Sequence, residues 1–229
     1  DVSTVDSGNL AVSLVTLAKG CEEIARRPAF DATLWRGLHD CVGLLRDGLK
    51  KVDLKGFAHA ETLAEQLQEE LRSSGADPLK WPELLDLCHA RCSEIRLDLT
   101  ASLDASSEVP ATGLRDLRNW LERSEHHCEA MRRDMEAALP WLRRLTDPPV
   151  DCVAIAAGLA GPLAPARLLS DWQGVASEAK KLFQQGKASA QSANAREWLE
   201  QLASDVNRGI AHWRQLEGHL QEIAKRAGE

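Results

Sequence analysis

The sequence predicts an all-α protein, a bundle of about seven helices, several of them long and antiparallel with coiled-coil-like seams. Composition is the first reason. Leu, Ala, Glu, Arg and Gln dominate, Tyr is absent and Phe occurs three times, which favours helix formers over the β-branched and aromatic residues that strands prefer. The second reason is periodicity, because apolar residues return every third or fourth position through most of the chain. Clusters of Pro, Gly and Ser then cut that pattern into separate segments.

The elements follow in order. After the polar run Ser3 to Asn9, the residues Leu10, Leu14, Leu17, Cys21 and Ile24 mark a first helix, with Asp6, Ser7 or Asn9 placed to cap its free N–H groups. Pro28 interrupts, and Asp31 precedes a second helix with the seam Leu34, Leu38, Cys41 or Val42, Leu45, Leu49 and Val52. A polar third helix keeps one narrow stripe, Leu63, Leu67 and Leu71, before Ser73-Ser74-Gly75 closes it. Pro78 and Pro82 bracket the start of a fourth, carried by Leu84, Cys88, Cys92, Ile95, Leu99 and Leu103. The fifth seam runs Leu114, Leu117, Leu121, Cys128, Met131, Met135, Ala138 and Leu142, and Pro140 is expected to kink the helix or begin a new one. A sixth helix is expected from near Ala166 to Gln185. The last, about Ser192 to Ala227, carries Trp198, Leu202, Val206, Ile210, Trp213, Leu216, Leu220 and Ile223.

The Gly, Pro and Ala content of 150–165 differs sharply from its charged surroundings. It divides the chain into an N-terminal helical region, 1–149, a connection, 150–165, and a C-terminal long-helix hairpin, 166–229. The two regions could equally form one continuous helical domain, since a chain of 229 residues lies near the size at which single cores stop growing.

A net charge of −7 argues against nucleic acid, whose affinity is built from clustered Lys and Arg. Pairs such as Arg26-Arg27, Arg132-Arg133 and Lys180-Lys181 sit among acids and read as solvated helix faces. No stretch approaches the ~20 apolar residues of a membrane span, so no insertion by this chain is expected. Six cysteines spread over a chain too long to need a disulfide framework favour reduced, buried thiols and a cytoplasmic setting.

Few residues point to chemistry. Cys88, His89, Cys92 and the group His126-His127-Cys128 have the donor types that zinc prefers, but their spacing is not that of a zinc ribbon, and Cys88, Cys92 and Cys128 fall on apolar seams where packing accounts for them. No metal and no cofactor is therefore expected. Gly158-Leu159-Ala160-Gly161 lacks the Lys of a phosphate loop. Glu22-Glu23 and Glu69-Glu70 read as solvated acids rather than an acid/base pair, and no catalytic residue is assigned. Among the seven tryptophans, Trp81 and Trp172 lie near helix starts and are the expected exposed platforms for a sugar ring. Trp198 and Trp213 belong to the last seam, and Trp120 and Trp141 flank the fifth.

The string Ser3-Thr4-Val5-Asp6-Ser7-Gly8-Asn9-Leu10-Ala11 resembles a string of the bacterial cyclic β-1,2-glucan synthases, large membrane-anchored enzymes. There it opens a helical, glycoamylase-like region assigned to ring closure. Where the family string continues Gly-His-Leu, this chain reads Val12-Ser13-Leu14. The close similarity covers about a dozen residues, and the family's downstream catalytic segments are absent from the chain. The resemblance implies a parent protein, anchored in the inner membrane, that builds β-1,2-glucan from UDP-glucose and releases it as a ring by transglycosylation. It also implies that Asp6 and Asn9 are substrate-binding residues touching glucan hydroxyls; as residues, they serve equally well as helix caps. On this basis the chain is expected to be a helical scaffold or insertion beside the glucan-handling site, inactive alone, with neighbouring domains of the parent and β-1,2-glucan as partners. The alternative is a stand-alone helical protein–protein interaction module. A complete glycosidase is disfavoured, because it needs two placed carboxylates in a cleft.

Overall fold

The computed structural model describes residues 4–28, 30, 33–52, 57–74, 77–105, 111–164, 168–190 and 192–229. Among them are nine α-helices and three short 3-10 turns, with no strand beyond an isolated bridge between Pro28 and Leu168. The fold class is all-α. None of these helices is long and apolar enough to cross a membrane.

The chain forms two compact units. Residues 32–136 make one, and residues 1–31 with 137–229 make the other. The contacts therefore part elsewhere than at 150–165, the connection expected from composition. That stretch instead holds α7 (Val153–Ala160), and Cys152, Ala156, Leu159 and Leu163 are all buried. Their spacing of four, three and four is itself helical; the Gly and Pro content around it masked the pattern. With α6 (Leu142–Thr146), α7 accounts for the difference from about seven helices, because Pro140 cannot continue α5 and a turn intervenes before Leu142.

The unit 32–136 is an up-down-up-down bundle of α2 (Thr33–Val52), α3 (Ala58–Ser74), α4 (Trp81–Ala105) and α5 (Ala111–Ala138), the last of which ends two residues past the unit's boundary. Each seam faces inward: Leu38, Val42, Leu45 and Leu49 on α2, Leu63, Leu67 and Leu71 on α3, Leu84, Cys88, Cys92, Ile95 and Leu99 on α4, Leu117, Leu121, Cys128, Met131 and Met135 on α5. Side chains outside the seams tie neighbours together, with Arg46 donating to Gln68 across α2 and α3 at 2.6 Å and Arg96 paired with Glu125 across α4 and α5. Two glycines set the approach of α2 to α5, since a Cβ on Gly48 or Gly37 would press on Leu117 at 2.9 Å or His127 at 3.0 Å. The expected position Leu103 lies outside the described side chains.

The other unit is organised by α9 (Ala193–Gly228), the longest helix described. Ser192 caps it, its hydroxyl accepting from the Ala195 N–H at 3.1 Å. The helix α8 (Trp172–Ser189) returns against it. Trp141 and Trp213, both buried, meet edge-on with centroids 5.7 Å apart. Their indole N–H groups donate to the carbonyls of Leu163 at 3.0 Å and Ala138 at 2.7 Å, and that of Trp198 donates to Arg144. Large rings are thus buried without stranding a polar atom. Gly209 makes room for them: a Cβ there would overlap the Trp141 ring and sit 2.9 Å from Pro140 Cδ. Beside this core the half-exposed Arg144 and the arginine of Arg208 both donate to the largely buried Asp205.

Candidate functional site

The resemblance singles out the start of the chain, and there the structure places a helix. α1 runs Thr4–Ala25, so Asp6, Ser7 and Asn9 lie inside its first turns instead of preceding it. Ser7 and Asn9 are too far into the helix to be its N-cap, which removes the capping account for them. The uncharged stretch from Ser7 to Ala18 lets the helix begin earlier than its first leucine, since it holds no proline and ample helix formers. Asn9 is exposed, and the side chain of Asp6 lies outside the described residues. Being three residues apart, the two positions share one face of α1. By its spacing of four from Leu10, Asp6 also continues the line Leu10, Leu14, Leu17, Cys21.

α1 packs against α9, and two ties give the direction. Leu169 donates its N–H to the Arg27 carbonyl at 3.2 Å, and three residues on, the Trp172 indole donates to Glu217 of α9. Cys21 and Ala25, by contrast, share a small cleft with Leu220, Ala224 and Lys225. Moving back along α1 therefore means moving towards the C-terminal end of α9, and the two helices are antiparallel. In that register α9 gives out opposite about Ala18, and the N-terminal part of α1 continues for about 20 Å at 1.5 Å per residue.

The consequence is visible in exposure. Leu10 is 61%, Val12 68%, Val15 59% and Leu17 48% exposed, and of the expected seam only Cys21 is buried. Between residues 7 and 18 the helix has no charged residue on any side. Ser13 and Thr16 turn their hydroxyls back to the carbonyls of Asn9 and Val12, both at 2.8 Å, so the stretch shows leucine and valine to solvent with no charge among them. It is too short and too weakly apolar for a bilayer.

The other candidates resolve as packing. Cys88, Cys92 and Cys128 are buried between α4 and α5, the Cys128 thiol donating to the Leu85 carbonyl at 3.4 Å. Burial pushes the Cys92 thiol up to about 12. The Cys88 thiol is also held up, by its hydrogen bond with Cys128 first and by burial second. Such thiols are inert as nucleophiles and poor as ligands at neutral pH. All six cysteines are free. His126 and His127 line an open groove of about 840 Å³ between α2 and α5, together with Cys41, Glu122 and Arg123. No group of three potential ligands able to hold a metal ion occurs among the described residues.

The tryptophans divide differently from expectation. Trp81 is buried, packed against Trp35 with centroids 5.8 Å apart, because the turn Pro78–Lys80 folds the start of α4 inward. Trp172 remains half-exposed on an open cleft along α9. Sequence reasoning missed that, among the described residues, the N-terminal part of the α1 seam has no partner; the absence of charge between residues 7 and 18 was the available signal. No family model, curated protein or solved structure matches this chain.

Proposed function

We propose that the chain is a helical segment of a cyclic β-1,2-glucan synthase-like protein, a scaffold that inserts the N-terminal part of α1 into a neighbouring domain and has no activity alone. One observation carries the reading: α1 leaves α9 behind and presents an apolar, uncharged surface that ends at the string containing Asp6 and Asn9. Burying a Leu or Val side chain completely is worth about 1.5–3 kcal/mol, so the five or so half-exposed ones leave on the order of 5 kcal/mol unrealised. A protein partner would recover it. Whatever covers Leu10, Leu14 and Leu17 would also stand beside Asp6, so the two polar residues would face glucan only in the assembled parent. As a stand-alone interaction module the chain would use the same surface, with a separate protein as the partner.

The test replaces Leu10, Leu14 and Leu17 together by Gln. The expected outcome is an unchanged urea midpoint, unchanged helicity and reduced binding of an apolar fluorescent dye. A loss of several kcal/mol would show the stripe already buried and sink the scaffold reading. In parallel, the chain is incubated with linear β-1,2-glucan and the mixture examined by mass spectrometry. Cyclic product would overturn the claim that this segment is inactive alone.

A further inference from the structure

A cleft lies beside Trp172, between the start of α8 and one face of α9. It measures about 500 Å³, within the usual range for small-molecule sites. Trp172, the first residue of α8, forms one wall. Its ring is fixed, because the indole N–H donates to Glu217 Oε2 at 2.8 Å. The Arg214 guanidinium lies 5.4 Å from the ring centroid. The other wall is one face of α9, whose spacing of three and four brings Asn207, Arg214, Gln215 and His219 to the same side. Ile210, buried, forms the floor. Gly218 leaves space, since a Cβ there would meet nothing within 4 Å.

The polar groups of this cleft are idle. The side chains of Asn207, Gln215 and His219 are exposed and make no hydrogen bond or ion pair with any described residue, and the Arg214 guanidinium lies against the indole face. Together they offer two amides, each both donor and acceptor, a guanidinium fork and an imidazole around one oriented aromatic ring. The Glu217 carboxylate at the ring's edge and the Arg214 guanidinium over its face offset one another, so this pair selects neither an anion nor a cation. An oriented aromatic ring bordered by amides and a guanidinium matches a neutral ligand with many hydroxyls and an apolar C–H face, the surface of a saccharide.

We infer that the Trp172 cleft is a binding site for a neutral oligosaccharide, with one sugar ring against the indole and its hydroxyls on Asn207, Arg214, Gln215 and His219. The site rests on α8 and α9 alone and does not depend on α1 or on the string that carries Asp6. A shallow, solvent-open site of this kind binds weakly, in the millimolar range, because the hydroxyls exchange water for protein partners at little net gain.

The experiment titrates the ¹⁵N-labelled chain with linear β-1,2-glucan oligosaccharides, cellohexaose and maltohexaose, following the Trp indole and backbone amide signals. Saturable shifts of the Trp172 indole and of residues on the 207–219 face are expected with at least one of them. Asn207→Ala with Gln215→Ala, both exposed, is expected to weaken binding about tenfold while leaving the rest of the spectrum in place. Trp172→Phe keeps a ring in the wall and tests the indole without emptying it; a weaker, measurable affinity is expected. No saturable shift with any of the three, or binding unchanged in the double variant, overturns the site. Shifts confined to residues 4–10 would overturn it too, while supporting glucan contact by the α1 string. If instead the Gln substitutions on α1 destabilise the chain and the Trp172 shifts persist, the scaffold reading fails and this site stands.

Discussion

α1 and α4 carry the same sequence signal and meet opposite fates. Leu84, Cys88, Cys92, Ile95 and Leu99 advance by three or four residues and are all buried; Leu10, Leu14, Leu17, Cys21 and Ile24 do the same, and four of the five stay substantially exposed. Periodicity says which face of a helix is apolar. It does not say what lies opposite. α4 has α3 and α5 beside it, joined through short connections, whereas α1 has, among the described residues, the C-terminal part of α9.

The sharpest way to test that contrast is to truncate one residue of each seam. Ile95→Ala, in the bundle, should cost about 2–5 kcal/mol through lost transfer energy and a cavity. Leu10→Ala should stay within about 0.5 kcal/mol. Urea unfolding read by far-ultraviolet circular dichroism measures both, and equal losses would erase the distinction.

A second contrast lies within the unit that contains α1. The part of α9 around Trp213 is packed tightly, and Gly209→Ala would place a Cβ 2.9 Å from Pro140 Cδ and 3.0 Å from the Ala138 carbonyl. An expected loss of about 1–3 kcal/mol follows from overpacking against rings that cannot yield. Gly218→Ala, on the same helix, meets nothing within 4 Å and should be neutral or stabilising by up to about 1 kcal/mol through helix propensity. Comparing the thermal midpoints of the two variants checks the difference.

Alkaline pH separates the bundle from α1 more gently. The Cys92 thiol is pushed up to about 12 in the folded chain, against about 8.5 for a free thiol. The raised value means that its contribution to stability is complete below about pH 8.5 and is lost as pH rises from there towards 12, since only the unfolded chain then ionises. A Cys92→Ala variant, though less stable at neutral pH, should lose less between pH 8 and pH 10 than the parent. The same burial predicts that iodoacetamide at pH 8 modifies the half-exposed Cys41 well before Cys88 or Cys92, which peptide mapping after short exposure would show.

The helices and nearly all of their buried faces were legible because they depend on local spacing. The seams of α2 to α5 and the capped start of α9 followed from residues within a few positions of one another. α7 was not legible as a helix, since Gly158, Gly161 and Pro162 signalled a break while Cys152, Ala156 and Leu159 signalled a face, and packing decided between them. Trp81 was misplaced for a related reason: a position near a helix start indicates an end of the bundle, but the neighbour that covers it, Trp35, is a tertiary fact. At the candidate site, the string marked α1 without revealing that its seam is uncovered. Trp172 was marked as a platform, but the polar wall facing it comes from positions 207–219, which no local pattern links to position 172.

The nesting of one unit within the other has a consequence in time. α1 is complete at Ala25, yet α9, its main partner among the described residues, begins at Ala193, after the whole four-helix bundle. At about 5–20 residues per second, a ribosome would need roughly ten to thirty seconds to cover that interval. During it the bundle can close on its own local contacts, while α1 waits uncovered. Newly made chains would therefore be most prone to capture by chaperones, or by one another, through α1 and before α9 has been synthesised.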